Sequence, residues 1–361
     1  MSNSIAGHLC QRCATRNRLG NARVKEQDCE LCKGLFLSVP VLAQQLVEKM
    51  KHVGGENSTF AVGTKVPKPI ETTEELIWEQ TDLSNAEALK AELNREIGKY
   101  VERHSNFTFD PKEPHIRATI DPSGQHIHLA VRPVFIFGKY KKKLQMRQTK
   151  KEGSPEQSVE ALIEKHMITA TKGMKVTLHG AGREDIDAFM LGSGRPFVAE
   201  IHKPAIRRVN WKDVEKKINK SNEGIEVVGL RPTDRQTIEV IKGARFDKTY
   251  EVVMEIDRPI IQKELKKIKP VRLFQRTPIR VSNRRADLVR KRRIKEIRSE
   301  LIDGNHIKLE MTTEAGTYVK EFISGDEGRT NPSVSSIIGR KAKCVKLTVT
   351  KIHSEWLEDF W

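Results

Sequence analysis

The chain has 361 residues, with 65 Lys+Arg against 48 Asp+Glu, a formal net charge of +17 and a pI near 9.6. A surplus of that size concentrates polyanions, so nucleic acid is the expected partner and its binding should weaken steeply with salt. Hydrophobic content of 37% excludes a disordered chain, and no apolar run approaches the roughly 18–20 residues that span a bilayer, so a soluble cytoplasmic protein with no membrane association is expected.

In chain order, the first feature is a pair of C-x2-C knuckles, Cys10-Gln-Arg-Cys13 and Cys29-Glu-Leu-Cys32, fifteen residues apart. Each knuckle sets two thiolates on one side of a tight turn. Together they complete a tetrahedral four-sulfur site suited to zinc. In a reducing compartment, metal is a commoner fate for such cysteines than disulfides. No open coordination position is left, so the zinc is expected to be structural. Residues 1–36 form this module, and Arg16, Arg18, Arg23 and Lys25 between the knuckles are expected to touch phosphate.

Residues 37–128 read as an α+β accessory module. Val41, Leu42, Leu46, Val47 and Met50 fall at helical spacing, and a second, charged helix is expected from about Asn85 to Arg103. His115–Asp121 and Gln125–Val131 alternate as strands do, around a Pro122–Gly124 turn. His115, His126 and His128 fit a polar strand edge better than a metal site.

Residues 129–361 form the largest part. Pro133–Gly138 is expected as a strand, followed by a basic loop running through Lys139, Lys141, Lys142, Lys143 and Arg147. A helix from about Pro155 to Thr171 would be capped by Ser154, with Glu156 and Glu160 near its positive end. A strand, Lys175–His179, then delivers the chain into Gly-Ala-Gly-Arg-Glu-Asp-Ile-Asp-Ala-Phe-Met-Leu-Gly-Ser-Gly-Arg-Pro, residues 180–196. Glycines there permit close ligand approach. Arg183 and Arg195 are suited to binding phosphate or to keeping a carboxylate ionised. Residues 284–298 carry eight Lys and Arg side chains and are expected as a helix that displays charge to phosphates. An aromatic content of only 6% argues against binding dominated by stacking platforms.

Gly182-Arg-Glu-Asp185 resembles the active-site loop of pseudouridine synthases. The longer run to Phe197 is similar to the archaeal and eukaryotic family that has an N-terminal zinc module. Phe246-Asp-Lys248-Thr-Tyr250 resembles the motif whose tyrosine stacks on the target uracil. Gln275-Arg-Thr-Pro-Ile-Arg-Val-Ser-Asn-Arg-Arg285 resembles another family signature, with Asn283 where the family usually has histidine. Glu314-Ala-Gly-Thr-Tyr-Val-Lys-Glu-Phe322 resembles the Gly-Thr-Tyr-x-Arg/Lys strand of the wider superfamily.

This resemblance implies an α+β catalytic domain over 129–361, with a mixed, largely antiparallel sheet, and a THUMP-like domain over 37–128. It implies tRNA as substrate, modified in the TΨC arm at positions 54 and 55. Asp185 would be the catalytic carboxylate, Lys320 its basic partner and Tyr250 the stacking ring, with Gly316 and Thr317 on the pocket floor. Arg183, Arg195, Lys139, Lys141, Lys142, Lys143, Arg276, Arg280, Arg284, Arg285 and Tyr318 would bind substrate. The chemistry breaks the N1–C1′ bond, turns the uracil and rejoins it through C5, so no organic cofactor is expected. The uracil must be flipped out of its loop to be reached. A monomer is expected, since one tRNA can span all three parts. Two alternatives carry different expectations: a tRNA-binding or chaperone protein of the same fold without catalysis, and a THUMP-bearing enzyme of other chemistry. The second would need a nucleotide-binding glycine loop opening a helix, and Gly192-Ser-Gly194 lies in the wrong context for that.

Overall fold

The computed structural model describes residues 8–20, 24–81, 86–122, 126–151 and 157–360. Arg23, Asn85, Gly124, Gln125, the expected cap Ser154, and Pro155 and Glu156 at the expected helix start lie outside them. The chain divides into two compact units. The first is Met1–Pro133 with Thr171–Gly173 and His202–Arg208, and the second is the remainder.

In the first unit, helices Gln11–Arg16, Val39–Val53, Lys68–Thr81 and Leu89–His104 accompany a four-stranded sheet. Its strands are β1 (Thr59–Thr64), β2 (Thr108–Phe109), β3 (Ile116–Ile120) and β4 (Ile127–Val131), in the order β2-β1-β3-β4. β1 runs parallel to both β2 and β3, and β3 pairs antiparallel with β4. The helices form because their apolar residues recur at four-residue spacing: Leu42, Leu46 and Met50 in one, Leu93, Ile97 and Val101 in another, all buried. Pro40 in the first turn and Gly54 at the end bound the first of these helices. Alternation in β3 sends Ile116, Ala118 and Ile120 into the same core. All four knuckle cysteines belong to that core, so the cysteine module and residues 37–128 fold around one interior.

The second unit is built on a ten-stranded sheet. Its strands are β5 (Val134–Lys142), β6 (Lys175–Gly180), β7 (Ala188–His202), β8 (Ile225–Thr233), β9 (Lys248–Ile256), β10 (Val271–Arg276), β11 (Val289–Leu301), β12 (His306–Thr313), β13 (Thr330–Asn331) and β14 (Ala342–Ile352). The order is β13-β10-β11-β12-β9-β14-β7-β5-β8, with β6 on β7. The ladders along this path are antiparallel except for β14 and β7, which run parallel with Leu347 opposite Ala188. One core lies beneath β5, β7 and β8 with helices Val159–Thr171 and Trp211–Ser221, and another beneath β9 to β12 with helix Val319–Ser324. Tyr250 packs against both. The parallel seam is tight: a Cβ on Gly192, whose φ is +57°, would stand 1.7 Å from the Thr350 carbonyl oxygen.

Three expectations are corrected here. The basic loop is in its first part a strand, because β5 continues through Lys142 with Tyr140 and Lys142 buried on one face. Residues 289–301 are the strand β11 and not a helix; a bulge between Ile294 and Glu296 sets the two inward isoleucines, 294 and 297, three apart and so imitates a helical period. The Gly-Thr-Tyr segment is a turn followed by helix Val319–Ser324, because Gln275 bonds both the N–H and the carbonyl of Tyr318 at 2.9 Å and ends the strand course.

Candidate active site

β6 ends at Gly180 and β7 begins at Ala188, and Asp185 stands in the short loop between them. The turn requires Gly182 in the left-handed region, φ +81°, where a Cβ would come 3.2 Å from Arg195 Nη1. The Ala188 N–H then donates to the Asp185 carbonyl at 3.2 Å, so the carboxylate is delivered at the entrance of the strand that pairs with β14.

Two cations face the half-buried Asp185. Arg280 Nη1 donates to Oδ1 at 2.8 Å, and Lys320 Nζ lies 3.6 Å from Oδ2. Lys320 is closer to Asp187, at 2.7 Å from both carboxylate oxygens. Arg280 also donates through Nε to Glu321 at 2.6 Å. Burial works against the Arg280 charge, but the Glu321 hydrogen bond and the Glu321 and Asp185 charges outweigh it and raise the guanidinium above its ordinary value. Burial likewise opposes ionisation of Asp187, and the Lys320 bond and charge overcome it and hold the carboxyl below its usual range. Arg280, expected only to bind substrate, is thus the direct hydrogen-bond partner of Asp185. Lys320 bridges the two aspartates.

Tyr250 lies on β9, opposite Met311 and Val349. Burial pushes its phenol up to about 12, with Arg195 lowering and Asp185 adding, so the ring is neutral at pH 7. Both charges therefore act on this side chain, which places Tyr250 in the same electrostatic neighbourhood as the Asp185 loop.

Beneath the loop lies a polar cluster that sequence reasoning missed. Glu184, with only 2% of its side chain exposed, is ion-paired with Arg195, whose Nε lies 2.8 Å from its carboxylate, and receives the Tyr140 hydroxyl at 2.9 and 3.0 Å. Gln148 Nε2 donates to the Tyr140 oxygen at 2.8 Å and to the Gly182 carbonyl at 3.0 Å. Arg195 Nη1 donates to the Ala181 carbonyl at 2.7 Å. Lys142, wholly enclosed, donates to the carbonyls of Met146, Asp185 and Ile186 at 2.9, 3.1 and 3.1 Å. Arg195 and Lys142 are therefore corrected: both were expected to bind substrate, and burial turns them toward the loop's own backbone and Glu184 instead. The partners are dispersed over three strands or loops, so no local pattern announced them.

The other expected substrate contacts are placed variously. Arg183 and Arg284 are exposed, and exposed Arg285 donates to the Tyr318 hydroxyl at 3.0 Å. Arg276 is bound to Asp287, with Nη2 at 2.6 Å from Oδ2. Lys141 and Lys143 share Glu226, at 3.0 and 2.7 Å. Lys139 is half-buried on β5, opposite Pro196 and Val228.

The cysteines form a second centre. Ligand sulfurs of Cys10, Cys13, Cys29 and Cys32 all lie within 4.8 Å of one another and all four residues are buried. Cys10 and Cys32 sulfurs are 3.8 Å apart. Zinc–sulfur bonds of about 2.3 Å would give a tetrahedral edge of about 3.8 Å, so the four residues fit the ion. Arg16, expected to reach phosphate, is corrected too: its guanidinium is enclosed, 3.7 Å from Cys13 Sγ and bonded to Glu92 at 2.8 Å, with Glu74 at 3.4 Å.

Two family models match this chain. Residues 135–353 match the family model described as Pus10, C-terminal, and residues 42–121 match the Pus10 THUMP domain, archaeal. The tRNA pseudouridine synthase Pus10 of Pyrococcus furiosus is 38% identical over 92% of this chain and 86% of its own length. Those of Thermoplasma acidophilum and Methanocaldococcus jannaschii are 32% and 35% identical, over 91% and 93% of this chain and 85% and 78% of theirs. Among solved structures, a chain in the crystal structure of a Cbf5-Nop10-Gar1 complex aligns with 14% identity and a TM-score of 0.33, over 60% of this chain and 58% of that one. The two family-model matches and the level of identity over most of the chain lead to one conclusion: the chain belongs to the Pus10 family of tRNA pseudouridine synthases, which are isomerases.

Proposed function

We propose that the chain converts uridine to pseudouridine in the TΨC arm of tRNA, at positions 54 and 55, with Asp185 as the catalytic carboxylate. The observation that carries this reading is Asp185 itself, set in a strand-entry loop and faced by Arg280 and Lys320. A carboxylate at that position can attack the sugar or the uracil, or remove a sugar proton. The N1–C1′ bond breaks, C5 takes the place of N1, and the hydrogen lost from C5 is balanced by one gained at N1. Tyr250 supplies a neutral ring face for the flipped uracil, and its high phenol pKa favours stacking over action as an ionised base. The exposed cations Arg183, Arg284 and Arg285 meet phosphates around the pocket, together with Lys139, Lys141, Lys143 and Arg276.

Cys10, Cys13, Cys29 and Cys32 would hold a structural zinc ion, which on binding closes the knuckle fold and supplies no chemistry at the uracil. The zinc module over 1–36, the THUMP-like part over 37–128 and the catalytic part over 129–361 act on one tRNA as a cytoplasmic monomer. The test is pseudouridine mapping on unmodified tRNA transcript with wild-type protein and Asp185→Ala side by side. Pseudouridine at positions 54 and 55 with wild type alone is the expected result. If neither protein forms it despite salt-sensitive tRNA binding, the catalytic reading falls and a tRNA-binding role takes its place.

A further inference from the structure

We infer that Lys142 and Glu184 are positioning residues: a buried charged cluster under the loop fixes the backbone on both sides of Asp185 and so aims its carboxylate. The inference rests on Asp185 being the catalytic group. A lysine ammonium has three N–H donors, and Lys142 meets three carbonyl acceptors, those of Met146, Asp185 and Ile186, at 2.9–3.1 Å. With its donors occupied, its approach to Glu184 Oε1 at 3.8 Å is a contact of charge alone. Glu184 in turn is held by Arg195 and Tyr140, and Gln148 ties Tyr140 to the Gly182 carbonyl. Burial and the Glu184 charge raise the Tyr140 phenol well above its usual value, so it remains a donor.

Backbone from Ala181 to Ile186 is thereby gripped at four carbonyls (Ala181, Gly182, Asp185 and Ile186) by side chains from β5, the segment after it and β7. An isolated buried ammonium is costly, and so are loop carbonyls left without donors. Each needs the other, which ties the ion cluster to the loop's conformation. Hydrophobic packing alone would remove these side-chain donors, leave the Asp185 carbonyl with the Ala188 N–H alone, and leave the loop free to shift by the ångström that costs an oriented group much of its rate.

The experiment compares Lys142→Met and Tyr140→Phe with wild type on tRNA transcript, measuring the single-turnover rate of pseudouridine formation at saturating enzyme and, separately, the tRNA dissociation constant. Lys142→Met is expected to lower the rate tenfold or more and Tyr140→Phe to lower it less, with both dissociation constants within about twofold of wild type. A rate loss confined to the saturated step is what misaim of Asp185 produces; a general loosening of the domain would weaken tRNA binding as well. Should Lys142→Met fail to fold, Tyr140→Phe, which keeps its ring in the core, decides alone. Wild-type rates from folded variants, or rate and affinity lost in proportion, would overturn the inference. Asp185→Asn is run alongside: if it retains the wild-type rate, the catalytic assignment of Asp185 fails instead, independently of the cluster.

Discussion

Lys248 lies two residues before Tyr250 on the same face of β9, and its environment has a measurable consequence. Burial draws its ammonium down to about 8, the Arg195 charge adds to this and Asp247 opposes it. In the unfolded chain the group titrates near about 10.4. Between about pH 8 and 10.4 the unfolded state therefore binds the extra proton, and stability rises with pH across that window. Below pH 8 both states carry the proton and the desolvated charge is a standing penalty in the fold. Lys248→Met should then melt above wild type at pH 7, with the gap closing by pH 10. An unchanging gap across that range would show that the ammonium is not desolvated. Of the residues in this site, Asp185, Tyr250 and Lys320 were legible because each sits in a short family motif. Glu184 and Asp187 were not, because their importance lies in what touches them: Tyr140 and Arg195 for one, Lys320 for the other. Arg280 was singled out as a substrate contact, and its hydrogen bond to Asp185 was not foreseen, since a sequence does not say whether an arginine also meets a neighbouring carboxylate.

At the scale of elements, the cysteine module is the clearest case of spacing dictating structure. Its four thiols are buried in the same interior as Leu42, Leu46, Leu93 and Phe60, so removing metal should loosen the helices packed on that interior and not just the knuckles. Purified protein is expected to carry about one zinc ion per chain. Cys13→Ser or a strong chelator should lower the melting temperature of the first unit, and elemental analysis with calorimetry would detect both. A metal-free protein with an unchanged transition would remove the zinc assignment. Periodicity located the helices 39–53 and 89–104 and the strands β3 and β4 to within a few residues, because each buries one regular face. It failed at β11, where the bulge put Ile294 and Ile297 at helical spacing and a run of Arg and Lys offered no alternation to correct the impression. The strand that the family resemblance implied at 314–322 is also absent, and the deciding interaction there is long-range: Gln275 reaching across to the backbone of Tyr318.

For the whole molecule, the charge of +17 overstates the surface available to RNA. Several cations are spent internally: Lys142, Arg195 and Arg16 are enclosed, Arg276 is tied to Asp287, and Lys141 and Lys143 are shared with Glu226. Arg183 and Arg284 are exposed and lie within a few residues of Asp185 and of its hydrogen-bond partner Arg280 in the chain. These two are therefore expected to contribute phosphate contacts near the flipped uridine. Each phosphate neutralised releases counterions worth about 0.7–0.9 in the slope of log affinity against log salt. The double variant Arg183→Ala with Arg284→Ala should thus bind tRNA more weakly at low salt, with a slope shallower by roughly 1.4–1.8. Titrations over a range of potassium concentrations would measure it. A weaker affinity at unchanged slope would mean that the two side chains act on something other than phosphate, and an unchanged affinity and slope would move the RNA path away from the Asp185 loop altogether.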